Sequence, residues 1–86
     1  MSDIVFTEES IEQFAYYAEK DRKGAKKIFA LLRSINREGL TEGLGKPEPL
    51  RYAKGYSRRI DEKNRLVYDM EDGKIVVKSC KGHYDD

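Results

Sequence analysis

The sequence predicts an α+β domain in which two N-terminal helices cover one face of a mainly antiparallel, four- to five-stranded sheet, in the order β-α-α-β-β-β-β. Three observations predict it. Apolar residues recur at helical spacing through the first half, the period changes to two after residue 50, and the breaks between the later segments are short enough for hairpins. Eighty-six residues make one domain, residues 1–86, because a chain of this length supports only one small core.

Asp3-Ile4-Val5-Phe6 is a short apolar run suited to a first strand, and Thr7 behind it caps a helix whose first turn holds Glu8 and Glu9. Ile11, Phe14, Ala15 and Ala18 follow at i, i+3, i+4 and i+7, the stripe expected to face the core. Asp21 caps a second helix with the stripe Ala25, Ile28, Phe29, Leu32 and Ile35, and Gly39 ends it. Glycines and prolines between Gly39 and Leu50 argue for a loop. Leu50–Ala53, Tyr56–Ile60, Arg65–Met70 and Lys74–Cys80 then read as strands, and the sheet they form is the surface on which both helices must pack. Its other face is expected to stay partly open.

Apolar and charged residues are each 38% of the chain, which leaves a heavily solvated surface around a modest core. Net charge is only +1, which argues against a general nucleic-acid binder. Its distribution is uneven: Leu44–Tyr68 holds seven Lys or Arg against three Asp or Glu, a local basic field or a merely solvated face. One cysteine excludes an internal disulfide framework, and with no leading apolar stretch it predicts a cytoplasmic setting. No run approaches the roughly 18 apolar residues of a membrane span.

The residues with chemical potential cluster in the second half. His83, the sole histidine, stands beside Tyr84 and downstream of Arg51, Arg58, Arg59 and Arg65; imidazole exchanges protons near neutrality, and guanidinium matches phosphate oxygens. One histidine and one cysteine do not complete a zinc shell, so no metal is expected. Cys80 reads as a small buried residue. Glu48, between Pro47 and Pro49, reads either as a solvated acid on a rigid turn or as an acid held for use. Arg58 and Arg59 are adjacent in a strand, so one faces each side of the sheet. Tyr52, Tyr56, Tyr68 and Tyr84 add rings on which unstacked RNA bases can lie, with Tyr68 assigned to the core.

Gly45-Lys46-Pro47-Glu48-Pro49-Leu50, Ser57-Arg58-Arg59-Ile60, Asn64-Arg65-Leu66-Val67-Tyr68 and His83-Tyr84 occur in an order and spacing that resemble the YoeB (Txe) toxins, a branch of the RelE-like superfamily. The likeness runs through nearly the whole chain. It implies a bacterial type II toxin that cleaves messenger RNA, chiefly at codons in the ribosomal A site, and that a YefM-type antitoxin holds inactive. It also implies roles: Glu48 as base, Arg59 and Arg65 on the phosphate, His83 as general acid, and Tyr84 shaping the site. Arg51 takes the place of a basic residue that is usually lysine, and Tyr56 that of a frequent tryptophan. Lys46, Arg51, Lys54, Tyr56 and Arg58 make up the expected RNA- and ribosome-binding set, a homodimer is a further expected assembly, and no cofactor is called for. The rival reading is a binding module that uses the same basic face without cleaving anything.

For Arg59 and Arg65 to share one phosphate they must lie on one side of the sheet. A two-residue turn would separate them, so the function requires an odd loop, such as Asp61-Glu62-Lys63 with Asn64 in a left-handed conformation, or a bulge. In that register Arg59 opposes Arg65, with Ser57 and Val67 next along the face and His83 nearby.

Overall fold

The computed structural model describes residues 3–82 and contains β1 (Ile4–Phe6), α1 (Glu8–Lys20), α2 (Arg22–Glu38), β2 (Glu48–Pro49), β3 (Tyr56–Arg59), β4 (Arg65–Glu71) and β5 (Lys74–Ser79). The strands form one mixed sheet in the order β1-β5-β4-β3-β2. β1 runs parallel to β5, and the other pairs are antiparallel. α2 lays Ile28, Leu31, Leu32 and Ile35 into a core shared with Leu66, Tyr68, Ile75 and Val77, all essentially without solvent exposure.

Thr7 caps α1 as its sequence suggests, accepting from the Ser10 amide at 3.1 Å. The helix is turned relative to the expected stripe. Ser10 and Tyr17 are its buried residues, whereas Ile11, Ala15 and Ala18 face outward. Polar side chains dictate the rotation: Ser10 Oγ donates to the Val77 carbonyl at 2.7 Å, and Gln13 Oε1 accepts from the Cys80 amide at 2.7 Å. These bonds satisfy backbone groups of β5 and the segment just after it. Phe29 is likewise expelled from the α2 stripe, standing 55% exposed with its ring edge-on to Phe14 at 5.2 Å.

Asp21 serves both helices. Its amide donates to the Tyr17 carbonyl at 2.8 Å and ends α1, while its carboxylate accepts from the Gly24 amide at 3.0 Å and starts α2. The close approach that follows needs a glycine at 24, where a Cβ would lie 2.4 Å from the Tyr17 ring.

One strand and one register differ from the pattern. Leu50–Ala53 is not a strand; the β2 segment is Glu48–Pro49 inside the supposed loop, because the Leu50 amide donates to the Gly55 carbonyl at 2.9 Å and residues between them leave the sheet. Pro49 is tolerated there because β2 is an edge strand. Between β4 and β5 the register shifts at Val67 and Tyr68, leaving Lys78 without an opposite residue.

Arg58 is completely buried, a correction to its expected place at an RNA-binding surface. It sits on the helix side of β3, and every guanidinium nitrogen is engaged: Nε donates to Tyr68 Oη (2.8 Å), Nη1 to Ser34 Oγ (3.0 Å) and the Leu44 carbonyl (2.9 Å), and Nη2 to the carbonyls of Gly39 (2.7 Å) and Glu42 (2.6 Å). Tyr68 Oη passes the network on to the Leu40 carbonyl at 2.7 Å, and Ser34 Oγ to Glu38 Oε1 at 2.8 Å. The loop after α2 is thus gathered around one cation.

Removing that cation takes the donor from three part-buried loop carbonyls and from the buried Ser34 and Tyr68 hydroxyls. Arg58→Ala is expected to lower the unfolding free energy by about 3–5 kcal/mol. Arg58→Lys should recover only a small part, since a lysine ammonium has three donors and cannot span the same acceptors. Urea unfolding of the three proteins measures this.

Burial pushes the Cys80 thiol up to about 11 from its ordinary 9.0. The folded chain therefore favours the neutral thiol, and this contribution is fully present below pH 9 and lost as pH rises toward 11. The first unit above pH 9 should remove about 1 kcal/mol of stability through this thiol, so Cys80→Ala should flatten unfolding measured between pH 8 and 10, leaving only the smaller fall near pH 10 from Tyr17 and Tyr68, whose hydroxyls burial also raises.

Candidate active site

Strand alternation places Glu48, Ser57, Arg59, Arg65 and Val67 on the sheet face away from the helices. Glu48 pairs with Ser57, Ser57 with Val67, and one step along, Arg59 pairs with Arg65. The expected odd register is therefore present. Its cause differs from the left-handed Asn64 considered above, because Asn64 has no positive φ. Instead the Asp61 carboxylate accepts from the amides of Lys63 and Asn64, both at 2.8 Å, and the Ile60 amide closes the loop on the Asn64 carbonyl at 2.9 Å. Burial works to raise the Asp61 carboxyl, but the Asn64 side chain and those two amides outweigh it and hold it below the usual carboxylate range.

Arg65 is the fixed centre of the site. Although its side chain is only 10% exposed, it is anchored from three sides: Nε donates to Ser57 Oγ at 2.9 Å, and Nη2 lies 3.4 Å from the Lys46 carbonyl and 3.5 Å from Glu48 Oε1. Glu48 itself is 66% exposed, so the carboxylate touches a buried cation on one side and solvent on the other. Arg59, by contrast, is exposed. An acid, a held guanidinium and an exposed guanidinium thus line one strip of sheet, an arrangement suited to a phosphodiester whose neighbouring hydroxyl must lose a proton.

The loop that carries Glu48 is set by Gly45. Its carbonyl accepts from the Arg59 amide at 2.7 Å, and at φ 87° an added Cβ would stand 2.6 Å from Leu31 Cδ2. At the other end of the strip, the Gly82 carbonyl accepts from the Arg65 amide at 3.1 Å, and the Gly82 amide donates to Asn64 Oδ1 at 2.8 Å. His83 and Tyr84 lie outside the described residues.

Lys46, Arg51 and Lys54 are exposed along the loops flanking the strip, with Lys54 Nζ 3.9 Å from the buried Asp69 Oδ2. Tyr56 shares the helix side with Arg58 and stacks on Tyr68 at 6.0 Å between ring centroids, so it does not join Glu48 and Arg59. Ser57, which its sequence context marks only as a face neighbour, holds Arg65 Nε. The available signal was its place two residues before Arg59, which in a strand shares a face.

The family described as the YoeB-like toxins of bacterial type II toxin-antitoxin systems matches residues 6–84. The chain belongs to this family. Toxin YoeB of Escherichia coli is 39% identical over 94% of this chain and 98% of its own length. Among solved structures, the YoeB dimer of Staphylococcus aureus superposes with a TM-score of 0.91 at 46% identity, covering 96% of this chain and 98% of that one. A YoeB–YefM complex from the same organism gives 0.89 at 43% identity, covering 98% and 99%. The RelE-like architecture inferred from the sequence is thus the architecture of the YoeB toxins. Among the described residues, no helix is long and apolar enough to cross a membrane.

Two like charges directly opposite on a ladder repel, so the pairing of Arg59 with Arg65 costs this fold stability. Replacing Arg59 by a neutral strand former should stabilise the fold. Arg59→Thr is expected to gain about 0.2–1 kcal/mol in urea unfolding at low ionic strength, shrinking as salt screens the pair.

Proposed function

We propose that this chain is the toxin of a type II toxin-antitoxin pair and a ribosome-dependent endoribonuclease that cleaves messenger RNA in the A site, inhibiting translation. One observation carries the reading: Glu48, Arg65 and Arg59 share one side of the sheet, with the carboxylate 3.5 Å from a buried guanidinium. Glu48, Arg59 and Arg65 are three of the residues to which the YoeB resemblance assigns a role.

In this mechanism Glu48 takes the proton of a ribose 2′-hydroxyl. The freed oxygen attacks the adjacent phosphorus and forms a 2′,3′-cyclic phosphate, and the bond to the 5′-oxygen breaks. His83 protonates that leaving oxygen. Arg65 and Arg59 balance the charge that builds on the crowded phosphate, where positioned cations contribute most. Tyr84 shapes the pocket around the reacting group. The anchoring of Gly82 beside Arg65 supports a role for the next residue, His83, at this phosphate. Lys46, Arg51 and Lys54 supply a basic rim toward messenger and ribosomal RNA. The steps need no cofactor and no metal, since RNA brings its own nucleophile and side chains move the protons.

The S. aureus relatives support two assemblies for this chain, a complex with a YefM-type antitoxin and a homodimer, and in this reading the antitoxin silences the toxin. A cytoplasmic location follows from a target on the ribosome.

Programmed ribosomes provide the test. Wild-type protein should cut messenger RNA within the A-site codon and leave 2′,3′-cyclic phosphate ends, which a protein that merely occupies the ribosome does not generate. Glu48→Ala and His83→Gln should each slow cleavage roughly 10²- to 10⁴-fold while leaving the unfolding midpoint unchanged. Near-normal rates in both variants would remove them as base and acid.

A further inference from the structure

Residues 50–55 form a loop whose two ends are tied and whose tip is bare. The Leu50 amide donates to the Gly55 carbonyl at 2.9 Å, closing the loop at its base. Gly55 (φ 127°) lies so close to the sheet that an added Cβ would stand 3.0 Å from the Tyr68 carbonyl oxygen. Beside it, Lys54 Nζ reaches within 3.9 Å of Asp69 Oδ2, a buried carboxylate oxygen with no hydrogen-bond partner among the described residues. Arg51, Tyr52, Ala53 and Lys54 between those ties are all exposed.

Tyr52 is the most exposed of the large apolar side chains, at 79%, and its ring makes no aromatic contact among the described residues. The other tyrosines of the helix pair and the sheet behave differently: Tyr16 and Tyr17 meet at 6.2 Å, and Tyr56 and Tyr68 at 6.0 Å. An unpartnered ring beside an exposed guanidinium, four residues beyond the carboxylate of the candidate site and on a tethered loop, has the makings of a stacking platform. Aromatic and arginine faces receive unstacked bases, and a tied loop loses little freedom when one arrives.

We propose that Tyr52, with Arg51 beside it, forms a subsite for one unstacked nucleobase of RNA at the Glu48 end of the strip whose other end carries Arg59 and Arg65. This subsite rests on the cleavage reading for its placement but not for its detection. The base comes either from the messenger or from ribosomal RNA; the chemistry of recognition is the same. Because the ring is exposed, Tyr52→Ala removes it without disturbing the core, and Tyr52→Phe keeps the stacking face while removing the hydroxyl.

Affinity is measured in two arms, each with wild type, Tyr52→Ala and Tyr52→Phe. One uses a short single-stranded RNA carrying a 2′-deoxy sugar at the cut position and 2-aminopurine beside it; the other uses vacant ribosomes. Loss of one stacked base should weaken binding by about 5- to 150-fold in Tyr52→Ala, with Tyr52→Phe within about two-fold of wild type. A loss confined to the short RNA, with reduced quenching of 2-aminopurine, places the base in the messenger, whereas a loss confined to ribosomes places it in ribosomal RNA. Unchanged affinity in both arms, or an equal loss in Tyr52→Phe, overturns the subsite. If wild-type protein fails to cleave but Tyr52→Ala still loses affinity, the cleavage reading falls and the subsite stands. If wild-type protein cleaves and Tyr52→Ala binds as tightly as wild type, the subsite falls and the cleavage reading stands.

Discussion

A guanidinium without solvent exposure holds the molecule's polar architecture together. Arg58 stands in the layer between sheet and helices, where a charge is costly unless its donors are fully used. Its partners come from Ser34 of α2, the Gly39, Glu42 and Leu44 carbonyls of the following loop, and Tyr68 of β4. Backbone carbonyls of an irregular segment, which would otherwise need water, are satisfied from inside the fold. The core is therefore closed by a polar knot on the side where α2 hands the chain to the sheet.

That knot sets where the candidate site begins. Leu44 is bound to Arg58, and Gly45, the next residue, accepts from the Arg59 amide at 2.7 Å. The following carbonyl, that of Lys46, faces Arg65, and Glu48 enters the edge of the sheet opposite Ser57. Adjacent arginines thus divide the work. Arg58 fastens the loop from the helix side, and Arg59 is left on the far side with the carboxylate that the loop delivers. A single strand thus gives a pair of identical side chains opposite surroundings, one sealed in the core and one open to solvent.

Much of this was legible in the sequence because period and turn chemistry specify it. The helix caps Thr7 and Asp21 and the β4 and β5 spans follow from local rules, whereas the pairing of Arg59 with Arg65 was reached only from what a shared phosphate would require. What was not legible depends on tertiary competition. α1 turns its serine and glutamine inward because the backbone of β5 and the residue after it offer unsatisfied groups, and hydrophobic spacing carries no information about that. Which of Arg58 and Arg59 is buried cannot be read from two adjacent identical residues until the loop carbonyls are in place. The same holds for Ser57, whose hydroxyl acquires a role only once Arg65 is across the ladder from its neighbour. Leu50–Ala53 misled because apolar and aromatic residues imply a strand, whereas a single bond from Leu50 to Gly55 diverts them into a loop.

The position of β5 has a consequence for how such a protein is born. It lies between β1 and β4, so the parallel pair with β1 and the register-shifted pair with β4 both wait for residues 74–79 to be synthesised. Everything made earlier, including both helices and the β2–β3–β4 hairpins, leaves the ribosome with an interior strand of its sheet missing. Contacts across so long a separation form late and only as a set. A nascent chain of this topology therefore emerges unfinished from the machine it is proposed to attack, and its sheet closes only after the residues of β5 have cleared the exit.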